Sequence, residues 1–157
     1  MIKAVIFDLD GTLLYTLDSI SLSCNKVLEA HRLPPVTHEQ LKHFVGDGVI
    51  DLMRRAFCAG MSEETVDENI VAEFRAHFKE DCDYHVKPYE GIPALIRWLK
   101  EKGILVACNT NKPHENAVNT AIDKIPTSNL KYFILNSDPY SHTILIVYNI
   151  DVISSTR

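Results

Sequence analysis

The chain opens on a short apolar run, Lys3 to Phe7, that stops abruptly at Asp8. A β-branched run without polar alternation predicts a strand buried on both faces of a parallel sheet. From about residue 16 the period changes. Leu17, Ile20, Cys24, Val27 and Leu28 recur at spacings of three and four, which predicts a helix closed by Pro34-Pro35. Thr37-His38-Glu39-Gln40 has capping-box spacing ahead of Leu41, Phe44 and Val45. Gly46-Asp47-Gly48 predicts a turn, and Val49 to Phe57 a further helix. Ser62-Glu63-Glu64 is expected to open a fourth, with Val66, Ile70, Phe74, His77 and Phe78 along one side.

After Lys87-Pro88 the alternation of helix and strand resumes. Gly91 to Lys102 is amphipathic, with Ile92, Leu95, Ile96 and Leu99 inward and Gly103 placed to stop it. Ile104 to Cys108 reads as a second buried strand, and Pro113 suits the first turn of a helix carrying Ala117, Val118, Ala121, Ile122 and Ile125. The pattern predicts an α/β core, residues 1–15 and 86–157, interrupted by an all-helical insertion at 16–85. Beyond Pro126 charge thins to Lys131, Asp138, Asp151 and Arg157, and Ile, Tyr, Asn and Ser become frequent. Tyr132 to Leu135 and Thr143 to Tyr148 are candidate strands there, with no amphipathic helix between them.

Composition narrows the function classes. The 157 residues are 46% hydrophobic and 24% charged, as in an ordinary globular protein. No stretch approaches the roughly 20 apolar residues of a membrane span, and the opening run is broken by Asp8 and Asp10 before a signal core forms, so a cytoplasmic protein without a membrane partner is expected. Sixteen basic against 21 acidic residues give a net charge of −5, with no basic run to track phosphates, which argues against nucleic acid. Cys24, Cys58, Cys82 and Cys108 form no CxxC or CxxH pair and are expected to be reduced, mostly buried thiols. The seven histidines show no metal-ligand spacing on one helix face.

The chemistry is concentrated directly after the first strand, in Phe7-Asp8-Leu9-Asp10-Gly11-Thr12-Leu13. Residues two apart in extended chain point to one side, so Asp8 and Asp10 can share a pocket while Leu9 faces the core. Gly11 permits a tight turn and Thr12 adds a hydroxyl. Two carboxylates at the carboxyl end of a parallel strand occupy the crevice where open α/β sheets bind ligands. They suit a magnesium-dependent reaction in which one is ligand and nucleophile and its neighbour acid and base. A second polar strand end, Ala107-Cys108-Asn109-Thr110-Asn111-Lys112-Pro113, offers a hydroxyl and helix-start N–H groups to a phosphate.

FDLDGTL resembles the first signature of the haloacid dehalogenase-like (HAD) hydrolase superfamily, and its neighbours resemble the phosphoglycolate phosphatase-like branch. The second strand end is similar to that family's Ser/Thr-Asn signature. The resemblance implies a Rossmann-like parallel-sheet core with an inserted helical cap, and hydrolysis of a small phosphomonoester through an aspartyl-phosphate. It implies Asp8 as nucleophile, Asp10 as acid and base, Asp8 and Asp10 as holders of Mg²⁺, and Thr110, Asn111, Gly11 and Thr12 around the phosphate. Gly46, Asp47, Gly48, Arg54 and Arg55 are cap candidates for reading the substrate. The family often has an acid where Tyr15 stands.

Two later family elements, a lysine in a Lys-Pro context and an acidic pair completing the magnesium site, are not found. Lys112, although followed by Pro113, lies within the second signature, and neither Lys124 nor Lys131 supplies a Lys-Pro lysine some 30 residues or more beyond it; Asp151 comes early and without a partner acid. The core is therefore expected to be incomplete, the resemblance to end near residue 125, and the tail to reflect truncation or a shifted reading frame. The alternative to a weakened phosphatase is a catalytically inactive chain with a phosphate- or partner-binding role. A glycosyltransferase, which can also carry a DxD, would need a preceding nucleotide-binding region for which there is no room.

Overall fold

The computed structural model describes residues 2–60, 65–112, 116–117, 120 and 124–125, and the backbone of Tyr132–Leu135 and Ile144–Ile146. In chain order the elements are β1 (Ala4–Phe7), β2 (Leu14–Tyr15), α1 (Leu17–Ala30), α2 (His38–Lys42), α3 (Val49–Ala59), α4 (Glu68–Asp81), β3 (Lys87–Pro88), α5 (Ile92–Glu101), β4 (Leu105–Thr110), β5 (Tyr132–Leu135) and β6 (Ile144–Ile146). One sheet has the order β1-β4-β5-β6. β1 and β5 both run parallel to β4, with Phe7 opposite Cys108 and Thr110 opposite Leu135, and β6 is antiparallel to β5. Asp8 and the end of β4 thereby emerge at the same edge of the sheet.

The α/β part has its own core, built from Leu9, Leu13, Leu14, Val86, Ile96 and Cys108 together with Ala117 and Ile125. Asn116, Ala117, Thr120 and Lys124 are helical; the other residues of the helix expected after Pro113 lie outside the described residues. α5 starts at Gly91, whose φ of 84° is in the left-handed region, with a proline in its first turn. It buries Ile96 and Leu99, and the chain turns at Gly103, φ 68°.

The four helices of the insertion close on a second core that includes Leu28, Leu41, Met53, Phe57, Val71 and Phe74. α1 and α4 are also tied by polar groups. Asp81 is buried and accepts from Lys26 Nζ at 2.7 and 2.8 Å and from Ser23 Oγ at 3.0 Å. The expected capping box is present: Thr37 Oγ1 accepts from Gln40 N, and Gln40 Oε1 accepts from Thr37 N. The fourth helix differs from expectation at its start. Asp67 is its N-cap, accepting from Asn69 N and Ile70 N, while Ser62 lies outside the described residues. The chain enters and leaves the insertion through the ribbon β2–β3, where Leu14 pairs with Pro88 and Tyr15 with Lys87.

Three expectations need correction. Leu95, expected inward on α5, is exposed. β1 is not buried on both faces: among the described strands it lies at the end of the sheet, and Ala4 and Ile6 are exposed, Ile6 by 60%. An apolar run does not reveal whether a neighbouring layer covers it. The four cysteines are all free thiols, but only Cys24 and Cys108 are buried.

Candidate active site

Asp8 follows β1 directly, and the turn after it is built by backbone geometry. Gly11 has φ 77°, a conformation that side chains with a Cβ rarely adopt, and Leu13 N and Leu14 N both donate to Leu9 O at 3.0 Å. Leu9 is fully buried. This anchors the segment so that Asp8 and Asp10 open into one cavity of about 570 Å³. Gly11, Thr110, Asn111 and Lys112 line the same cavity, and from the insertion so do Gly46 and Gly48. The insertion also supplies apolar walls, among them Leu17, Ile20, Val45, Leu52, Phe74 and Phe78.

Asp8 Oδ1 accepts from Leu9 N at 2.7 Å. Its carboxyl is nonetheless pushed above the ordinary carboxylate range, first by lost solvation among the cavity walls and also by the charge of Asp10, against the lowering effect of the Leu9 N–H. Thr110 is 3% exposed, and its Oγ1 accepts from Lys112 N at 3.2 Å. Asn111 Nδ2 donates to Gly46 O at 2.8 Å, so the second strand end is joined to the turn between α2 and α3.

Not every candidate is brought here. Thr12, Asp47, Arg54 and Arg55 are not among the residues lining the cavity. Thr12 is exposed on the turn, its N–H donating to Leu9 O at 3.3 Å. Arg55 is engaged within the insertion, by the Asp47 carboxylate and the Phe44 carbonyl, and Arg54 lies 3.5 Å from Asp51 on α3. Pairing within the insertion accounts for the two arginines. In the other direction, Lys112 is a site residue that spacing alone set aside. Its Nζ lies 3.1 Å from Asp10 Oδ1 and 4.7 Å from the centre of the Phe78 ring. The available signal was its place directly after Thr110-Asn111 at a strand end.

Cys108 packs in the core beside β1, and its thiol is pushed up to about 12 by burial, with the charges of Asp8 and Asp10 adding to it. It should therefore stay protonated and resist iodoacetamide at pH 8, whereas exposed Cys58 reacts readily. Peptide mass spectrometry of a time course reads the order; labelling of Cys108 before Cys58 would contradict the packing around the site.

The fold and the cavity thus define an α/β protein whose parallel strands present two acids and a Thr-Asn pair at one edge, beneath a helical insertion. Residues 5–143 match the model of the haloacid dehalogenase-like hydrolase family, and the chain belongs to that family. The matched span takes in β5, beyond the limit near residue 125 expected from sequence. The chain is 32% identical over 140 residues to a phosphoglycolate phosphatase of Pseudomonas putida, covering 87% of this chain and 51% of that protein. It is 34% identical over 112 residues to an N-acetylmuramic acid 6-phosphate phosphatase of Pseudomonas aeruginosa, covering 71% and 49%. It thus spans about half the length of these curated relatives. A crystal structure of a predicted phosphoglycolate phosphatase from Haemophilus somnus shares the fold, with a TM-score of 0.75 at 24% identity over 88% of this chain and 64% of that one. Among the described residues no helix is long and apolar enough to cross a membrane.

Proposed function

We propose that this chain hydrolyses a small phosphomonoester through an aspartyl-phosphate on Asp8. The observation that carries the reading is the convergence of Asp8, Asp10, Gly11, Thr110 and Asn111 on one cavity at the carboxyl edge of β1 and β4. In the first step a carboxylate oxygen of Asp8 attacks phosphorus, the ester P–O bond breaks, and Asp10 gives its proton to the departing oxygen. In the second, Asp10 takes a proton from water as that water attacks the same phosphorus. Inorganic phosphate leaves and the Asp8 carboxylate is restored. The Thr110 hydroxyl and Asn111 amide hold phosphoryl oxygens, with Gly11 beside them at the cavity wall.

The donor set suits magnesium, which takes one or two protein oxygens together with substrate oxygens and water. The Asp8 carboxylate and the Asp10 backbone carbonyl would hold it. When bound, the ion offsets the charge of the phosphoryl group. Residues 16–85 act as a cap over the core formed by 1–15 and 86–157, excluding water and contacting the leaving group.

The two relatives named above are phosphatases of phosphoglycolate and of N-acetylmuramic acid 6-phosphate, so a phosphorylated small organic acid or sugar is the substrate class. Phosphate release from an aryl phosphate and from phosphoglycolate should require Mg²⁺ and cease when a chelator removes it. A second reading, phosphate binding without turnover, rests on the sequence showing neither the family's later lysine nor its acidic pair. Binding with no release from either ester would select it.

A further inference from the structure

Four described cationic side chains line the cavity: Lys42, Arg75, Lys79 and Lys112. The first three are exposed, whereas the Lys112 side chain is 1% exposed. A buried ammonium is costly unless compensated, and Lys112 has two compensating partners from different parts of the fold. Asp10 of the α/β core accepts from Nζ at 3.1 Å, and the Phe78 ring of α4 lies 4.7 Å away, within cation–π range. An ammonium carries three donors, and the Asp10 oxygen engages one of them. The remaining donor capacity sits at the wall of a cavity that also contains Asp8 and Thr110.

The backbone of the same residue works in the same direction. Lys112 N donates to Thr110 Oγ1 at 3.2 Å, which occupies an acceptor site of that hydroxyl and leaves its O–H free to donate to an anion. We propose that Lys112 is a phosphate-contacting residue of this cavity, its ammonium held by Asp10 and Phe78 and donating to a phosphoryl oxygen. This rests on the phosphomonoester reading of the cavity and adds a residue to it. Because Phe78 belongs to the insertion, the cation is shared between core and cap, and its position depends on both.

The test is calorimetric titration of inorganic phosphate, with Mg²⁺ present, into wild type, Lys112→Met, Lys112→Gln and Lys112→Arg, each checked for folding by circular dichroism. Loss of one charge-assisted hydrogen bond should weaken binding by about 10- to 100-fold in the two neutral variants. The Arg variant should recover much of the affinity. In wild-type protein, the Lys112 Nζ resonance should shift on adding phosphate, a readout that does not depend on any variant folding. Equal affinity in a folded neutral variant, an unmoved Nζ resonance, or no phosphate binding by wild type would overturn the proposal. Lys112-dependent binding without turnover of any ester would instead leave this contact standing and remove the phosphatase reading.

Discussion

Asp8→Asn should lower phosphate release by about 10⁴-fold or more, since it removes the only nucleophile the proposed reaction has. The amide keeps the shape of the carboxylate and still offers an acceptor to Leu9 N–H, which lies 2.7 Å from Oδ1 in the native chain. Stability should move the other way. The charged form of Asp8 is disfavoured by lost solvation and by Asp10, so a neutral side chain relieves both in the metal-free protein. Thermal melts in chelator should therefore show Asp8→Asn at or above the wild-type Tm. Asp10→Asn should also cripple release but lower Tm, because it takes the counter-charge from the buried Lys112 ammonium. Undiminished turnover in Asp8→Asn would refute the nucleophile. A lowered Tm in that variant would refute the electrostatic account.

The second large effect concerns the insertion. Phe57 is 1% exposed, packs in the helical core, and meets the His31 ring edge-on at a centroid distance of 5.2 Å. Phe57→Ala removes that buried ring and leaves a cavity, which should cost about 3–5 kcal/mol in urea unfolding. Trp98 on α5 is 50% exposed, so Trp98→Ala should cost well under half as much. Equal losses in the two would mean that the insertion lacks the packed core described for it.

The sequence carried the elements whose signals are local. The Thr37-Gln40 capping box, the helix over Leu17–Ala30, the α5 helix with its glycine stop, and strands at Ala4–Phe7 and Tyr132–Leu135 all follow from spacing and composition. β4 extends two residues beyond Cys108, because Asn109 and Thr110 pair with Ile134 and Leu135 on a strand whose alignment no local pattern reveals. The β2–β3 ribbon is too short, two residues on each side, to show a period. The exposure of Ile6 depends on what lies beside β1. β6 pairs with β5, at the opposite end of the sheet from β1, which pattern reading could not foresee.

The site divides along the same line. Asp8 and Asp10 were legible from their place at a strand end, although a turn rather than extended strand brings them to one cavity, and Thr110 because it closes a second strand of the same sheet. Arg55 lies off the cavity through contacts within the insertion, and Lys112 lies on it through a long-range one. Arg55 meets Asp47 and the Phe44 carbonyl within the insertion, whereas Lys112 reaches Asp10, 102 residues earlier in the chain.

The most direct test of the proposed chemistry is to trap the acyl phosphate. The protein is mixed briefly with an aryl phosphate and Mg²⁺, acid-quenched, and reduced with borohydride, which converts an aspartyl-phosphate to homoserine. Tandem mass spectrometry should then find homoserine at position 8 in wild type, and none in protein quenched without substrate. Phosphate release with an unmodified Asp8, or with the label on Asp10, would contradict the account.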